Sequence, residues 1–167
     1  DWFVPKETMG FMTNLLHLFN AKSVLEIGTH HGFSALCFSL DTTKVVTIEK
    51  DEAWANIAHK NISVANNIEL IQGDALVVLP TLQEQKKQFD FIFIDAKKCE
   101  YKEYVQLSLL LLSKEGGIFI DDTITQKHKM GNLFEYLENT TIYHKELGVG
   151  NGLLMITQNK EMIGAMQ

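Results

Sequence analysis

The stretch VLEIGTHHGFS, residues 24–34, decides the fold of this chain. A short apolar run ends in Glu26 and Gly28, and a second glycine, Gly32, precedes a run of small residues with helical character. This order is typical of a buried parallel strand, a tight turn and the start of a helix. In open α/β sheets such a turn binds nucleotides, because glycines let the ligand approach the backbone and the helix start offers free N–H groups. The stretch therefore predicts a nucleotide-binding α/β domain.

The rest of the chain alternates between apolar runs and helical spacing. Strands are predicted at residues 23–27, 44–49, 68–72, 89–94 and 118–120, and two more, at 140–146 and 153–157, are close enough to form a hairpin. Helices are predicted at residues 6–20, 33–40, 51–65, 76–86, 101–112 and 130–138. This order implies an α/β fold: a doubly wound, mostly parallel seven-stranded sheet with helices on both faces and a C-terminal antiparallel hairpin. Because no repeat, linker or low-complexity segment interrupts it, residues 1–167 are predicted to form one domain.

Composition limits the classes of function. The net charge is −6, and all 15 basic residues are lysines, so arginine-based recognition of phosphates or guanine is excluded. An acidic chain also lacks the usual electrostatic footprint of nucleic-acid binding. Cys37 and Cys99 are too few for a disulfide framework or a zinc site, which predicts a reducing, cytoplasmic location. No apolar run is long enough to predict a membrane span.

Each of the first five predicted strands ends in an acidic residue or in a turn that carries one. These residues are Glu26, Glu49, Asp74, Asp95, and the pair Asp121 and Asp122. The carboxyl ends of parallel strands share one edge of a sheet, where ligands bind. A single acid there is as readily explained as a helix cap or a solvated loop residue. Several converging carboxylates are costly unless they meet cations, hydroxyls or amines, so together they predict a binding site.

Two features bear on the cofactor. Glu49 lies about twenty residues after the glycine turn, where an acid accepts hydrogen bonds from ribose hydroxyls in NAD, FAD and S-adenosylmethionine proteins alike. The turn lacks the third glycine of the dinucleotide pattern and carries Glu26 just before Gly28. A carboxylate there would repel a pyrophosphate but could orient a cofactor that carries an amino group. The turn therefore favours S-adenosylmethionine over NAD.

Further motifs occur in a fixed order along the chain. They are LEIGT at 25–29, GFSAL at 32–36, GDAL at 73–76, IDAKK at 94–98, the pair Tyr101 and Tyr104, Gly116-Gly117, and VGNGL at 149–153. With these motifs the chain resembles the cation-dependent O-methyltransferase family, which includes the catechol and caffeoyl-CoA O-methyltransferases and their bacterial relatives, all class I S-adenosylmethionine-dependent methyltransferases. The resemblance runs from about Val4 to Thr157, nearly the whole chain.

The resemblance implies a role for individual residues. It places the S-adenosylmethionine contacts at Val4, Glu26, Gly28, Thr29, Ser34, Glu49, Asp74, Ala75 and Asp95. It places the ligands of a divalent metal at Asp95, Asp121 and Asp122, and the catalytic residues at Lys98 and Asp95. Lys97, the neighbour of Lys98, is the alternative candidate for the catalytic lysine and is interpreted as a solvated side chain.

The chemistry of these residue types agrees with the implied roles. Three carboxylate ligands suit Mg²⁺ above all, with Mn²⁺ or Ca²⁺ as alternatives, rather than zinc. A metal that held two adjacent oxygens of an acceptor would lower the pKa of a hydroxyl. Lys98, with its own pKa shifted by burial or by the metal, could then take the proton. The resulting oxyanion would attack the methyl group of the sulfonium.

Three features depart from the family pattern. Asp122 stands where relatives usually have asparagine, which should tighten metal binding but weaken its Lewis acidity; alternatively, no metal binds and Asp121-Asp122 is a structural loop. His30 and His31 replace an aromatic and a small residue, and are interpreted as polar turn residues rather than contacts of the cofactor or metal pocket. Additional N-terminal helices usually cover the cofactor in relatives, so either residues are missing upstream or the acceptor site is open. Trp54 is predicted to pack in the core on the inner face of its helix.

The favoured function is a metal-assisted O-methyltransferase that acts on a small catechol-like molecule. One alternative is methylation of a hydroxylated wobble uridine in tRNA, for which a local basic rim would be needed. That rim would comprise Lys86, Lys87, Lys97, Lys98, Lys102, Lys127 and Lys129. Another alternative is a non-catalytic cofactor-binding module. By analogy with the family, a homodimer is expected.

Overall fold

The computed structural model describes residues 4–164, which form a seven-stranded sheet in the order β3-β2-β1-β4-β5-β7-β6. The strands are β1 (Ser23–Ile27), β2 (Lys44–Glu49), β3 (Ile68–Gln72), β4 (Phe89–Ile94), β5 (Leu112–Asp121), β6 (Tyr143–Leu147) and β7 (Leu153–Thr157). The helices are α1 (Lys6–Leu18), α2 (Phe33–Asp41), α3 (Glu52–Ile62), α4 (Ala75–Glu84), α5 (Tyr101–Leu111), α6 (Leu133–Glu138) and α7 (Lys160–Gly164). The single-domain prediction for residues 1–167 includes residues 1–3 and 165–167, which lie outside the described residues.

The topology confirms the predicted fold class. Strands β1 to β5 are parallel, whereas β7 pairs antiparallel with both β5 and β6. The strand order reverses between β1 and β4, and this switch point is where open α/β sheets bind ligands, beyond the carboxyl ends of the strands. No helix within residues 4–164 is both long enough and apolar enough to cross a membrane.

Two apolar layers cover the sheet, one on each face. The layer under α1 and α2 contains Met12, Phe38, Phe91 and Phe119, with the Phe91 and Phe119 rings stacked at 4.3 Å between centroids. The layer under α4, α5 and α6 is built mainly from aliphatic residues of the strands and of these helices. The central strand β4 supplies alternate side chains to the two layers and is almost entirely buried, which explains its continuous apolar sequence.

The fifth strand is longer than predicted. It begins at Leu112 rather than residue 118, so Gly116 and Gly117 lie inside the strand rather than before it. A Cβ at Gly116 would lie 2.8 Å from the Asp90 backbone oxygen, so glycine permits the close approach of β4 where its pairing with β5 shifts register. A pair of glycines is typical both of a turn and of a bulge within a strand, so the sequence does not distinguish the two here.

The predicted boundaries near the C-terminus were also wrong in detail. Helix α6 begins at Leu133 rather than residue 130, because Gly131 adopts a positive φ of 57° and separates the helix from a short 3₁₀ turn, Lys127–Lys129. Strand β6 begins at Tyr143 rather than residue 140, because the Thr140 hydroxyl and N–H both donate to Leu137 O at the end of α6. The terminal helix α7 was not predicted.

Candidate active site

A cavity of about 930 Å³ opens at the carboxyl edge of the sheet, over the switch point between β1 and β4. It brings together most of the residues that the sequence singled out. Those that line it are Val4, Gly28, Thr29, Ser34, Glu49, Ala75, Asp95, Lys98, Asp121 and Asp122. Glu26 and Asp74 are not among the lining residues. The glycine turn and the distant acidic cluster therefore share one cavity.

The glycine turn is held tightly against the end of β4. Gly28 has a φ of 100°, which L-residues rarely adopt, and a Cβ there would overlap the Asp95 backbone oxygen. The Asp95 N–H donates to Ile27 O at 3.0 Å, and the Gly28 N–H donates to Ile48 O at 3.0 Å. These bonds join the ends of β1, β2 and β4, so the turn and Asp95 keep a fixed relative position.

Glu26 lies behind the cavity wall and is fully buried. The Ser34 hydroxyl donates to Oε1, and Thr47 Oγ1 donates to Oε2 at 2.6 Å. Thr29 Oγ1 lies 2.6 Å from Thr47 Oγ1, which extends the network to the cavity surface. Burial raises the pKa of Glu26 to about 7, although the two hydroxyl donors oppose the shift. Glu26 therefore orients the hydroxyls that face the cavity, and its direct contact with a cofactor stays a prediction.

The buried Glu26 predicts a pH dependence of stability. Its pKa is 4.5 in an exposed state and about 7 when folded, so between these values the folded state retains a proton that the unfolded chain releases. The free energy of unfolding should be highest below pH 4.5 for this group and fall by on the order of 3 kcal/mol as the pH rises to 7. Urea unfolding of the wild type and Glu26→Gln at pH 5 and pH 8 measures this loss.

The control for that experiment is Glu84→Gln, which removes an exposed carboxylate at the end of α4. Glu26→Gln should lose less stability than the wild type between the two pH values, whereas Glu84→Gln should follow the wild type. An unchanged pH slope in Glu26→Gln would contradict the assignment of a proton to this residue.

Glu49 and Asp74 are fixed by backbone donors at the ends of β2 and β3. The Glu49 carboxylate accepts from the N–H groups of His30 (2.8 Å) and Asp51 (2.9 Å) and faces the cavity. Asp74 caps α4 by accepting from the Leu76 N–H at 2.9 Å, and the Lys50 ammonium 2.6 Å away lowers the pKa of Asp74. Glu49 is therefore available to a ligand in the cavity, whereas Asp74 caps a helix and its contact with the cofactor stays a prediction.

Lys98 joins the carboxylates at the centre of the site. Its ammonium group lies 2.7 Å from Asp95 Oδ1, 3.0 Å from Asp122 Oδ2 and 2.7 Å from the Tyr101 hydroxyl. Burial lowers the pKa of Lys98, but Tyr101 and Asp95 more than offset that effect, so the pKa is raised. In this arrangement burial therefore does not lower the pKa of Lys98 overall, because Tyr101 and Asp95 stabilise the charged form. Lys97 instead contacts Glu100 at the rim of the cavity and is exposed, as predicted.

Asp121 differs from the other two predicted metal ligands. It is buried, its Oδ1 atom has no hydrogen-bond partner among the described residues, and burial together with Asp95 raises its pKa to about 7. Asp122, with a φ of 65°, accepts from Asn151 Nδ2 at 3.1 Å.

The three predicted metal ligands are not arranged as a metal site. Within residues 4–164, no three His, Cys, Asp or Glu side chains lie close enough together to hold a metal ion. Two of the three carboxylates, Asp95 and Asp122, are instead paired with the ammonium of Lys98. Their chemistry nevertheless fits a hard divalent cation, because all three supply carboxylate oxygens and one of those oxygens has no partner.

Three aromatic side chains form a wall of the cavity that the sequence did not predict. The rings of His30 and His31 lie 4.1 Å apart, with 2.7 Å between their Nδ1 atoms, and the Trp54 ring lies 4.1 Å from His30. Burial lowers the pKa of His30. The prediction that Trp54 packs in the core was wrong, because the buried face of α3 is formed by Ala55, Ala58 and Ile62 instead. The position of Trp54, three residues after the helix cap Asp51, was the sequence feature that could have indicated its place in the cavity wall.

Comparison with known proteins gives a consistent set of relatives. The sequence model of the O-methyltransferase family matches residues 2–145. The chain is 35% identical to a catechol O-methyltransferase of Niastella koreensis over 127 residues, which are 72% of this chain and 57% of that protein. It is 36% identical to a caffeoyl-CoA O-methyltransferase of Populus kitakamiensis over 127 residues, 71% of this chain and 54% of that protein. The chain thus spans a little more than half the length of these two curated relatives.

The fold has close counterparts among solved structures. The O-methyltransferase from Bacillus cereus, determined in complex with SAH, superposes with a TM-score of 0.85 at 27% sequence identity. The superposition covers 93% of this chain and 83% of that chain.

Proposed function

Because the chain belongs to the O-methyltransferase family, we propose that it transfers the methyl group of S-adenosylmethionine to a hydroxyl of a small catechol-like acceptor. The observation that carries this proposal is the shared cavity. The glycine turn with Glu49 lines one part of it, and Lys98 with three carboxylates lines another. A cofactor and an acceptor can therefore meet without a large rearrangement of the sheet.

The cofactor end suits S-adenosylmethionine better than a dinucleotide. Gly28 and Gly32 open the backbone for a close approach, but the third glycine of a pyrophosphate-binding turn is absent from the sequence. Thr29 and Ser34 present hydroxyls that Glu26 orients from behind, and Glu49 presents a carboxylate for ribose hydroxyls. The relative from Bacillus cereus, solved with SAH, supports the same cofactor class.

Lys98 provides charge where the reaction needs it. In methyl transfer the acceptor oxygen forms a bond to the methyl carbon while the carbon–sulfur bond breaks and its electron pair returns to sulfur. The oxygen attacks faster as an oxyanion, and an ammonium beside it lowers the pKa of the hydroxyl. Lys98 can accept the hydroxyl proton itself only after its own proton has left Nζ, because Asp95 and Asp122 hold it in the charged form. The protein thus contributes mainly positioning and charge.

Asp95, Asp121 and Asp122 would hold a divalent cation, with Mg²⁺ the best match to three carboxylates. Such a cation would supply Lewis-acid polarisation of the acceptor oxygens. Asp121 contributes an oxygen that has no other partner within residues 4–164. Asp122 also accepts a hydrogen bond from Asn151, which lines the same cavity.

An RNA acceptor is supported less well. Lys86 and Lys87 lie between α4 and β4, at the opposite edge of the sheet from the cavity. Lys97 and Lys98 are occupied in ion pairs. The predicted basic rim is therefore not continuous, and the acceptor is more consistent with a small molecule.

Calorimetry followed by a transfer assay tests the proposal. S-adenosylmethionine and NAD are titrated separately into the protein with and without Mg²⁺, and methyl transfer to 3,4-dihydroxybenzoate is then measured with labelled S-adenosylmethionine. We expect S-adenosylmethionine to bind, NAD not to bind, and transfer to increase with Mg²⁺. Binding of NAD without binding of S-adenosylmethionine would refute the proposal, and cofactor binding without transfer to any catechol would indicate a non-catalytic module.

A further inference from the structure

One lysine of the cavity differs from the others. Four lysines line the cavity within residues 4–164, and three of them are in ion pairs. The pairs are Lys50 with Asp74, Lys97 with Glu100, and Lys98 with Asp95 and Asp122. Lys129 has no carboxylate or hydrogen-bond partner for its ammonium group in that part of the chain. Its positive charge is therefore available to a bound molecule.

Gln126 lies beside Lys129 on the same turn. The Lys129 N–H donates to Gln126 O at 2.8 Å, and side chains three residues apart in a 3₁₀ turn lie on the same side. Gln126 also lines the cavity, and the Gln126 N–H donates to Asp122 O at 2.8 Å. The next residue, Met130, is buried and anchors the turn in the core. The backbone that carries the two side chains is thus fixed next to the acidic cluster.

Buried polar atoms without partners are concentrated in the segment that carries this wall, in which Asp121 and Gln126 line the cavity and Thr123 lies behind it. Five such side-chain atoms occur within residues 4–164, and three of them belong to the six residues from Asp121 to Gln126. These three are Asp121 Oδ1, Thr123 Oγ1 and Gln126 Oε1. Buried polar groups in folded proteins nearly always have partners, so this concentration points to a ligand that completes the wall.

We propose that Gln126 and Lys129 form a subsite for the acceptor, in which Lys129 binds an anionic substituent, a carboxylate or a phosphate, and Gln126 Oε1 accepts a hydrogen bond from a hydroxyl. This inference rests on the proposed function, because it names the acceptor class. Asp95, Asp121 and Asp122 repel an anion elsewhere in this region. Lys129 therefore determines that an anionic acceptor binds with its charged group at this ammonium rather than at the carboxylates.

The subsite should affect the affinity for the acceptor rather than the rate of the chemical step. The subsite contacts a part of the acceptor that does not react, so it stabilises the ground state and the transition state equally. Removing the charge of Lys129 should weaken binding of an anionic acceptor roughly tenfold and leave a neutral acceptor almost unchanged.

Matched acceptors and matched variants test the subsite. The acceptors are 3,4-dihydroxybenzoate, its phosphonate analogue and the neutral 3,4-dihydroxybenzamide, each titrated calorimetrically into the protein saturated with S-adenosylhomocysteine. The variant is Lys129→Met and its control is Lys127→Met, which removes the same charge from the same turn. Lys127 is suited to this control because its ammonium lies over the Phe134 ring, 4.0 Å from the centroid, and does not line the cavity. The carboxylate and phosphonate arms distinguish the two kinds of anion.

The outcomes separate this inference from the proposed function. Preference for either anion over the amide, lost in Lys129→Met and kept in Lys127→Met, supports the subsite even if no methyl transfer is detected. Equal affinity for the three acceptors, no detectable binding, or equal losses in both variants would overturn it. Methyl transfer at equal KM for the benzoate and the benzamide would leave the proposed function intact and refute the subsite.

Discussion

Lys98→Met is expected to lower kcat for methyl transfer by about 10²–10⁴-fold, with little change in the affinity for S-adenosylmethionine. The side chain is only 15% exposed, and its ammonium is held by Asp95, Asp122 and Tyr101 within the cavity. Methionine fills a similar volume but has no charge and no hydrogen-bond donor. The variant therefore lacks the ammonium that would stabilise the acceptor oxyanion. Single-turnover transfer measures the chemical step, and calorimetry measures cofactor binding.

Lys97→Met is the matched control for Lys98, because it removes the preceding lysine, which is exposed and paired with Glu100. It should retain kcat within a few-fold. A second measurement follows from the same contacts: without the ammonium of Lys98, Asp95 and Asp122 should bind Mn²⁺ more tightly, since no internal cation competes for them. A wild-type kcat in Lys98→Met, or an equal loss in Lys97→Met, would contradict the role given to Lys98.

The main elements of this fold follow from local patterns in the sequence. The first four strands match their predicted bounds because each is an apolar run that ends where its helix connection begins. The bounds of β5 and β6 could not be found in this way. The extended conformation of Gly116 depends on the neighbouring backbone of Asp90, and the start of β6 depends on how Thr140 caps the preceding helix. The first is a contact between neighbouring strands and the second is a hydrogen bond at a helix end, and hydrophobic periodicity encodes neither.

The position of the site was predictable, but its internal contacts were not. Acids at the carboxyl ends of parallel strands share one edge, so Glu49, Asp95 and Asp121 were expected near one cavity. Whether an acid faces that cavity depends on its direction at the strand end, and Glu26 points into the protein. The ion pair between Lys98 and Asp122 joins the segment after β4 to the segment after β5, which are distant in sequence.

Gly28→Ala is expected to destabilise the fold by about 3 kcal/mol or more, a large part of the roughly 5–15 kcal/mol typical of a domain. Two costs combine at this position. A φ of 100° is unfavourable for alanine, at about 1–3 kcal/mol, and the new Cβ would overlap the Asp95 backbone oxygen, which adds a cost of overpacking of about 1–3 kcal/mol. Because that oxygen belongs to the backbone, it cannot move away as a flexible side chain would. Urea unfolding followed by circular dichroism measures the loss.

Gly10→Ala provides a control with the opposite sign. Gly10 lies inside α1, is exposed, and a Cβ there meets no atom within 4 Å, so alanine should stabilise the helix by about 0.5–1 kcal/mol. The same chemical change therefore has opposite effects at the two positions, because only Gly28 is constrained by the end of a neighbouring strand. A loss below about 1 kcal/mol in Gly28→Ala would show that β1 and β4 can separate at their carboxyl ends. The fixed position of Asp95 beside the glycine turn would then have to come from contacts other than this turn.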